Sequence, residues 1–142
     1  MNNNNNVNIF LKEKQSLQFN LRNISNKLKD LTISINNQRR LVNTITKEVE
    51  KHKKWVLAEL YKKYNEDKNK EFSNDVKREN KLNEFLRSDI TYETLLKRLI
   101  TEQKTLDELG DEYESIKLDF KVERECKDLL FGAMIMLGNS NI

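Results

Sequence analysis

Residues 17–56 read LQFNLRNISNKLKDLTISINNQRRLVNTITKEVEKHKKWV and carry apolar side chains at alternating steps of four and three. Ten of the twelve positions on this grid are apolar. A heptad stripe of this length is typical of coiled coils and long helical hairpins. A lone helix cannot cover such a stripe, so we expect a partner helix. The twelve positions, hereafter the first seam, are Leu17, Leu21, Ile24, Leu28, Leu31, Ile35, Gln38, Val42, Ile45, Val49, His52 and Val56.

The two polar positions of the first seam are Gln38 and His52. Polar residues in a seam often fix the register of the helices at some cost in stability. His52 is the only histidine of the chain, and no Cys/His cluster accompanies it. We therefore interpret it as an ordinary helix histidine, near a charge or packed in the seam, and predict no metal site and no cofactor.

A second heptad pattern covers the C-terminal part of the chain, and either Asp89 or Thr91 could cap the start of its helix. Its polar positions are Glu102, Glu123 and Lys127. The remaining positions, hereafter the second seam, are Tyr92, Leu95, Leu99, Leu106, Leu109, Tyr113, Ile116, Phe120, Leu130, Met134 and Leu137.

The segment between the two seams is charged up to Lys70 and has no periodicity, which predicts a loop. Ser73 could then cap a short helix that carries Val76, Leu82, Phe85 and Leu86. We predict an all-α fold with a long helix, a loop, a short helix and another long helix. The long helices would pack antiparallel, as a helical hairpin or coiled coil, or pair across subunits. In domain terms we expect a disordered Asn-rich tail at 1–10, a single elongated helical domain at 11–138 and a flexible end at 139–142.

Composition narrows the classes of function. The longest apolar run, LLFGAMIML at residues 129–137, has nine residues and is too short to span a membrane. No basic start followed by an apolar stretch is present, so we expect no signal peptide. The single cysteine fits a reducing compartment, so we expect a cytoplasmic protein, or one in the host cytoplasm if a phage encodes it. Glycine-rich phosphate loops, nucleophile elbows and zinc-protease motifs are all missing from the sequence, so we predict that the protein is not an enzyme.

Charge is unevenly distributed along the chain. Residues 1–88 carry 19 Lys+Arg against 11 Asp+Glu, and residues 89–142 carry 7 against 12. The two parts can attract each other, and the basic part can recruit a polyanion. Rod-like helices provide little internal core, so we also predict a homo-oligomer. The residues expected at its contacts are Leu28, Leu31, Ile35, Leu130, Phe131, Met134 and Leu137.

The most basic stretch of the chain is KHKKWVLAELYKKY, residues 51–64. Cations that recur with exposed aromatic rings suit single-stranded nucleic acid, because cations meet phosphates while rings stack on bases. Three other interpretations remain open: a solvated helix face, an acidic protein partner and a membrane surface. The candidate nucleic-acid-binding residues, hereafter the basic face, are Arg39, Arg40, Lys47, Lys51, Lys53, Lys54, Trp55, Tyr61, Lys62 and Lys63.

The stretch EFSNDVKRENKLNEFLRSD, residues 71–89, resembles the central segment of the UvsY recombination mediator family of T-even phages. Upstream, Ala58, Leu60 and Tyr64 resemble a family segment rich in basic, leucine and tyrosine residues. Leu57 and Glu59 stand where the family has cations, so Lys53, Lys54, Lys62 and Lys63 would have to supply that contact. Leu82 stands where the family has another apolar residue, and the matching positions of the first stretch are Glu71, Phe72, Ser73, Asp75, Leu86 and Asp89.

The resemblance implies a specific function. Members of that family form closed oligomers that bind single-stranded DNA and help a RecA-like recombinase displace single-strand-binding protein. They take part in DNA recombination and repair and hydrolyse no nucleotide. The resemblance therefore predicts single-stranded DNA, a recombinase and single-strand-binding protein as partners. The shortness of the longest apolar run, and not the resemblance, leads us to expect no membrane. The alternative is a structural coiled-coil scaffold or tether with no nucleic-acid role, which the first seam supports equally well.

Overall fold

The structure is a computed structural model that describes residues 2–67 and 75–139. These residues form three helices: α1 (Asn2–Asp67), α2 (Asp75–Arg87) and α3 (Ile90–Asn139). No strand occurs in the described ranges. The all-α class and the order of a long, a short and a long helix are confirmed. α1 continues to Asp67, into the charged segment up to Lys70 that was predicted as a loop. Ser73 and residues 140–142 lie outside the described residues.

The first seam is the covered stripe of α1, as predicted. All twelve of its residues are half-buried or buried, whereas most of their neighbours in α1 are exposed. Burial is deepest in the second half of the stripe, where Ile45 is fully buried. The period of the sequence therefore identifies the face of α1 that packs on the rest of the chain.

The second seam is likewise the covered stripe of α3. Its residues are half-buried with the exception of Leu137, and the three polar positions on the same grid are half-buried too. α3 runs without interruption through Gly110, where an added Cβ would meet nothing within 4 Å.

The contacts divide the chain into two compact units. The single elongated helical domain at 11–138 stays a prediction. The first unit consists of Met1–Ile35 and Glu108–Ile142, and the second of Asn36–Asp107.

In the second unit, α1 runs antiparallel to the start of α3. Gln38 Nε2 donates to the backbone carbonyl of Glu102 at 2.9 Å and to its Oε2 at 2.7 Å. Further along α1, His52 contacts Asp89, which directly precedes α3. The two polar positions of the first seam therefore pair with polar groups of the facing segment. α2 closes this unit with a small core of Val56, Leu60 and Leu86, against which Leu82 and Tyr92 pack.

In the first unit, α1 again packs against α3, and Ser16 and Leu17 line an open groove with Leu129 and Leu130. α1 begins at Asn2, so residues 2–10 are helical where the composition predicted a disordered tail. Adding residues to an existing helix costs far less free energy than nucleating one. This difference explains how a polar segment can continue the helix although its side chains from Asn4 to Ile9 are exposed.

Candidate nucleic-acid interface

The basic face lies entirely in the second unit, and all ten of its residues are exposed. Arg40, Lys47, Lys54 and Tyr61 follow one another at intervals of seven residues. At 100° per residue this line falls on the side of α1 opposite to the buried seam. Because the seam is turned towards α2 and α3, the cations of this line are turned to the surface.

Four cations of the basic face have no charged partner in the part of the chain that the structure describes. The side chains of Arg40, Lys47, Lys51 and Lys54 form neither ion pairs nor hydrogen bonds with other described residues. Lys62, in contrast, lies 3.0 Å from a carboxylate oxygen of Glu59. The side chains of the first four residues are thus not held by an ion pair with any described residue, which leaves their charged groups accessible to an anion.

Trp55 is the single tryptophan of the chain, and its side chain is 59% exposed. Its ring centroid lies 5.8 Å from that of His52, and the His52 ring in turn stacks at 6.5 Å and 16° on Tyr92 of α3. The ammonium group of Lys53 lies 5.6 Å from the centre of the Tyr92 ring. The rings of Trp55, His52 and Tyr92 and the ammonium group of Lys53 therefore lie close together. They are next to the four cations that have no ion pair with a described residue.

Asp89 holds the His52 ring in place through a hydrogen bond. Its Nε2 lies 2.7 Å from Asp89 Oδ2, while Asp89 Oδ1 accepts a hydrogen bond from the Tyr92 N–H at 3.0 Å. Asp89 is thus the N-cap of α3, one of the two caps expected from the sequence. The Tyr92 N–H and then the His52 side chain stabilise the carboxylate and hold the pKa of Asp89 below its usual value.

α2 contributes two residues that sequence reasoning did not assign to the site. Arg78 Nη1 donates to the Tyr61 hydroxyl at 3.0 Å, and its guanidinium carbon lies 5.5 Å from the centre of the same ring. Phe85 has the ammonium groups of Lys63 and Lys81 at 5.3 and 5.8 Å from its ring centre. Phe85 was predicted only as a residue of the short helix, and its pairing with Lys63 depends on packing between helices that no local pattern encodes.

The two units differ in net charge. Residues 36–107 carry 17 Lys+Arg and 13 Asp+Glu, a net charge of +4. The two segments of the first unit together carry 9 and 10, a net charge of −1. The excess positive charge of the chain is therefore concentrated in the unit that carries the basic face.

The residues predicted at oligomer contacts all belong to the first unit, but they differ in exposure. Phe131 and Leu137 are exposed. The other five are already half-buried within a single chain, so their burial does not require a second copy: Leu28, Leu31, Ile35, Leu130 and Met134.

Across residues 2–67 and 75–139 no helix carries an apolar stretch long enough to cross a lipid bilayer. Within the same ranges no three His, Cys, Asp or Glu side chains come together as a metal-binding group. Of the residues that resemble the UvsY family, Asp75, Leu82 and Leu86 lie in α2 and Asp89 caps α3, whereas Glu71, Phe72 and Ser73 lie outside the described residues. Comparison of the chain with protein-family models, curated proteins and solved structures finds no match.

Proposed function

We propose that the protein is a non-enzymatic single-stranded DNA-binding protein that acts as a recombination mediator. The observation that carries the binding role is the row of exposed, locally unpaired cations on α1, from Arg40 to Lys54, beside the exposed Trp55. The RecA-like recombinase and single-strand-binding protein enter the proposal through the resemblance of residues 71–89.

The spacing of the cations suits a flexible strand. Arg40, Lys47 and Lys54 are separated by two helical turns, about 10.5 Å along the axis. Lys51 fills the second of these intervals. Such a row meets phosphates without reading base edges, and a strand with free bases can place one of them against Trp55. Binding should therefore be salt-dependent and nearly independent of sequence.

The first experiment measures the affinity for a labelled oligonucleotide by fluorescence anisotropy over a range of salt concentrations. The Lys47→Ala, Lys54→Ala variant removes two free cations from the basic face. Each lost phosphate contact on a single strand lowers the salt slope by about 0.7, so the slope should fall by about 1.4. The same relation makes binding weaker by about tenfold near 0.15 M salt.

The matched control is the Lys12→Ala, Lys27→Ala variant. It removes the same charge from exposed positions of the same helix, but in the first unit. Its affinity and salt slope should stay close to those of the wild type. Equal losses in both variants would indicate that only net charge matters, and weak binding by the wild type at low salt would favour the scaffold alternative.

Trp55 reports on stacking directly, because its fluorescence comes from one known position. An oligonucleotide with bases should quench this fluorescence, whereas an abasic strand of equal charge should bind with little quenching. Trp55→Ala should lose about 1–3 kcal/mol of binding free energy with an unchanged salt slope. Circular dichroism of the same variant should show wild-type helix content, since the side chain is largely exposed.

The mediator role needs its own experiment. A RecA-like recombinase is added to single-stranded DNA already covered by single-strand-binding protein, and filament formation is followed by the recombinase's DNA-dependent ATPase activity. The wild-type protein should shorten the lag, and the Lys47→Ala, Lys54→Ala variant should do so less. An unchanged lag with tight DNA binding would leave a DNA-binding protein without the mediator role.

A further inference from the structure

The outward-facing line of α1 that carries Arg40, Lys47 and Lys54 ends at Tyr61, and a cation of α2 contacts that residue. Tyr61 lies about 10.5 Å along the axis from Lys54, which is the interval that also separates the cations of this line. Arg78 Nη1 donates to the Tyr61 hydroxyl at 3.0 Å, and Tyr61 is 38% exposed. Arg78 of α2 therefore supplies a cation where the next member of the α1 line would stand.

Arg78, Lys81 and Phe85 share one face of α2. At 100° per residue the three positions fall within an arc of about 60°. Leu86, which is buried in the small core with α1, lies about 80° to 140° from them around the helix. The packing of Leu86 therefore fixes α2 on α1, while Phe85 beside it stays 36% exposed. We refer to Arg78, Lys81 and Phe85 as the α2 face.

Phe85 brings together cations of two helices. The ammonium groups of Lys63 on α1 and Lys81 on α2 lie 5.3 and 5.8 Å from its ring centre. The two nitrogens are therefore no more than 11.1 Å apart, which is the sum of these distances. Lys81 also pairs with Glu84 at 3.4 Å. Ammonium groups bind phosphate more strongly than an exposed ring, so both can turn to a strand and leave the Phe85 ring to a base.

The chemistry of the α2 face repeats that of the region around Trp55. There too an exposed ring lies close to cations, with Lys53 5.6 Å from the centre of the neighbouring Tyr92 ring. Both regions belong to the second unit, which carries the net charge of +4. Two aromatic and cationic regions joined by a line of cations favour a long polyanion with stacking bases over a compact anion.

We propose that a bound single strand crosses from α1 to α2 at Tyr61, so that Arg78 and Lys81 contact its phosphates and Phe85 stacks on one of its bases. This inference rests on the proposed nucleic-acid-binding function and extends its site onto a second helix. Nothing in the local sequence pattern of α2 indicates this role, because it arises only where α2 packs beside the end of the α1 line.

The first test changes one charge of each sign on α2. Lys81→Gln should lower the salt slope of oligonucleotide binding by about 0.7 and weaken binding roughly three- to fourfold near 0.15 M salt. Glu84→Gln releases Lys81 from its ion pair and should tighten binding by at most the same factor. Tighter binding in Glu84→Gln cannot come from a loss of folding, so the two variants together separate phosphate contact from a structural effect.

The matched control is the exposed pair Glu93–Lys97 of α3, which belongs to the same unit and is 2.8 Å apart. Lys97 points about 200° away from Leu95 of the second seam, so it is turned away from α1. Lys97→Gln and Glu93→Gln should leave affinity and salt slope close to those of the wild type. Equal effects at both pairs would show that only net charge matters, and they would overturn the proposal.

The second test locates the strand by photocrosslinking with an oligonucleotide that contains 5-iodouracil, which reacts with aromatic side chains. Trypsin separates the two regions, because peptide 55–62 carries Trp55 and Tyr61 and peptide 82–87 carries Phe85 as its only aromatic residue. Both peptides should be crosslinked in the wild type. Phe85→Leu should abolish the crosslink to peptide 82–87 while keeping the helix content and the crosslink to peptide 55–62.

The outcomes distinguish this inference from the function on which it rests. Wild-type protein that binds no oligonucleotide refutes both. Crosslinks confined to peptide 55–62, or wild-type binding by Lys81→Gln while Lys47→Ala, Lys54→Ala binds weakly, would keep the strand on α1 and overturn only the α2 contact.

Discussion

Replacing Asp89 with alanine tests the junction at which α3 begins beside the candidate site. Asp89 uses one carboxylate oxygen to cap α3 through the Tyr92 N–H and the other to hold His52. Both interactions are made by one short side chain whose exposure is only 20%. The substitution therefore removes two contacts at once and leaves the His52 nitrogen without its partner.

The expected loss follows from the two contacts. An N-cap contributes about 1 kcal/mol to stability. A hydrogen bond to a charged group that is partly solvated contributes about 1 kcal/mol more. We thus expect the free energy of unfolding to fall by about 2 kcal/mol in Asp89→Ala. Asp89→Asn should lose only about half of this, because asparagine caps helices as well as aspartate does.

The pH dependence follows from the direction of the pKa shift. The hydrogen bonds hold the pKa of Asp89 in the folded protein below that of the unfolded chain. The stabilisation by the carboxylate is therefore fully present above the unfolded pKa of about 4 and is lost as the pH falls through the lower, folded value. The difference in stability between wild type and Asp89→Ala should accordingly shrink as the pH falls below about 4.

Urea denaturation followed by circular dichroism measures these free energies. The control is Asp119→Ala, which removes an exposed carboxylate from the interior of the same helix and should change stability by no more than about 0.5 kcal/mol. Wild-type stability in Asp89→Ala at neutral pH would refute the cap. Equal losses in Asp89→Ala and Asp89→Asn would show that charge, and not capping, carries the effect.

Three further substitutions test the packing of the helices, and denaturation measures each of them. Ile45→Ala should cost about 3 kcal/mol because Ile45 is fully buried, whereas Ile33→Ala at an exposed position should cost less than about 0.5. Gly110→Ala should stabilise the protein by about 1 kcal/mol, since an added Cβ meets no atom within 4 Å; a loss would reveal strain at Gly110. Gln38→Leu should cost about 1–3 kcal/mol because Glu102 loses its donor, and adding Glu102→Leu should recover most of the loss. An unimproved double variant would contradict the pairing.

The candidate site was predictable where it depends on one helix. The line from Arg40 to Lys54 is exposed because the heptad pattern alone places it opposite the buried seam. Whether those cations are free of partners was not predictable, since a side chain such as Lys62 pairs or stays free according to rotamers and neighbours. The contacts of Tyr92 and Phe85 with cations of α1 join residues far apart in the sequence, and only the packing of the helices creates them.

The sequence by itself determined the helical class, the order of the helices and which stripe of each long helix is covered, because a period of 3.5 residues can bury only one line of side chains. It also determined that Gln38 and His52 would interrupt the first seam. Only the tertiary structure decided which polar groups they meet, Glu102 and Asp89, since that depends on the register between helices.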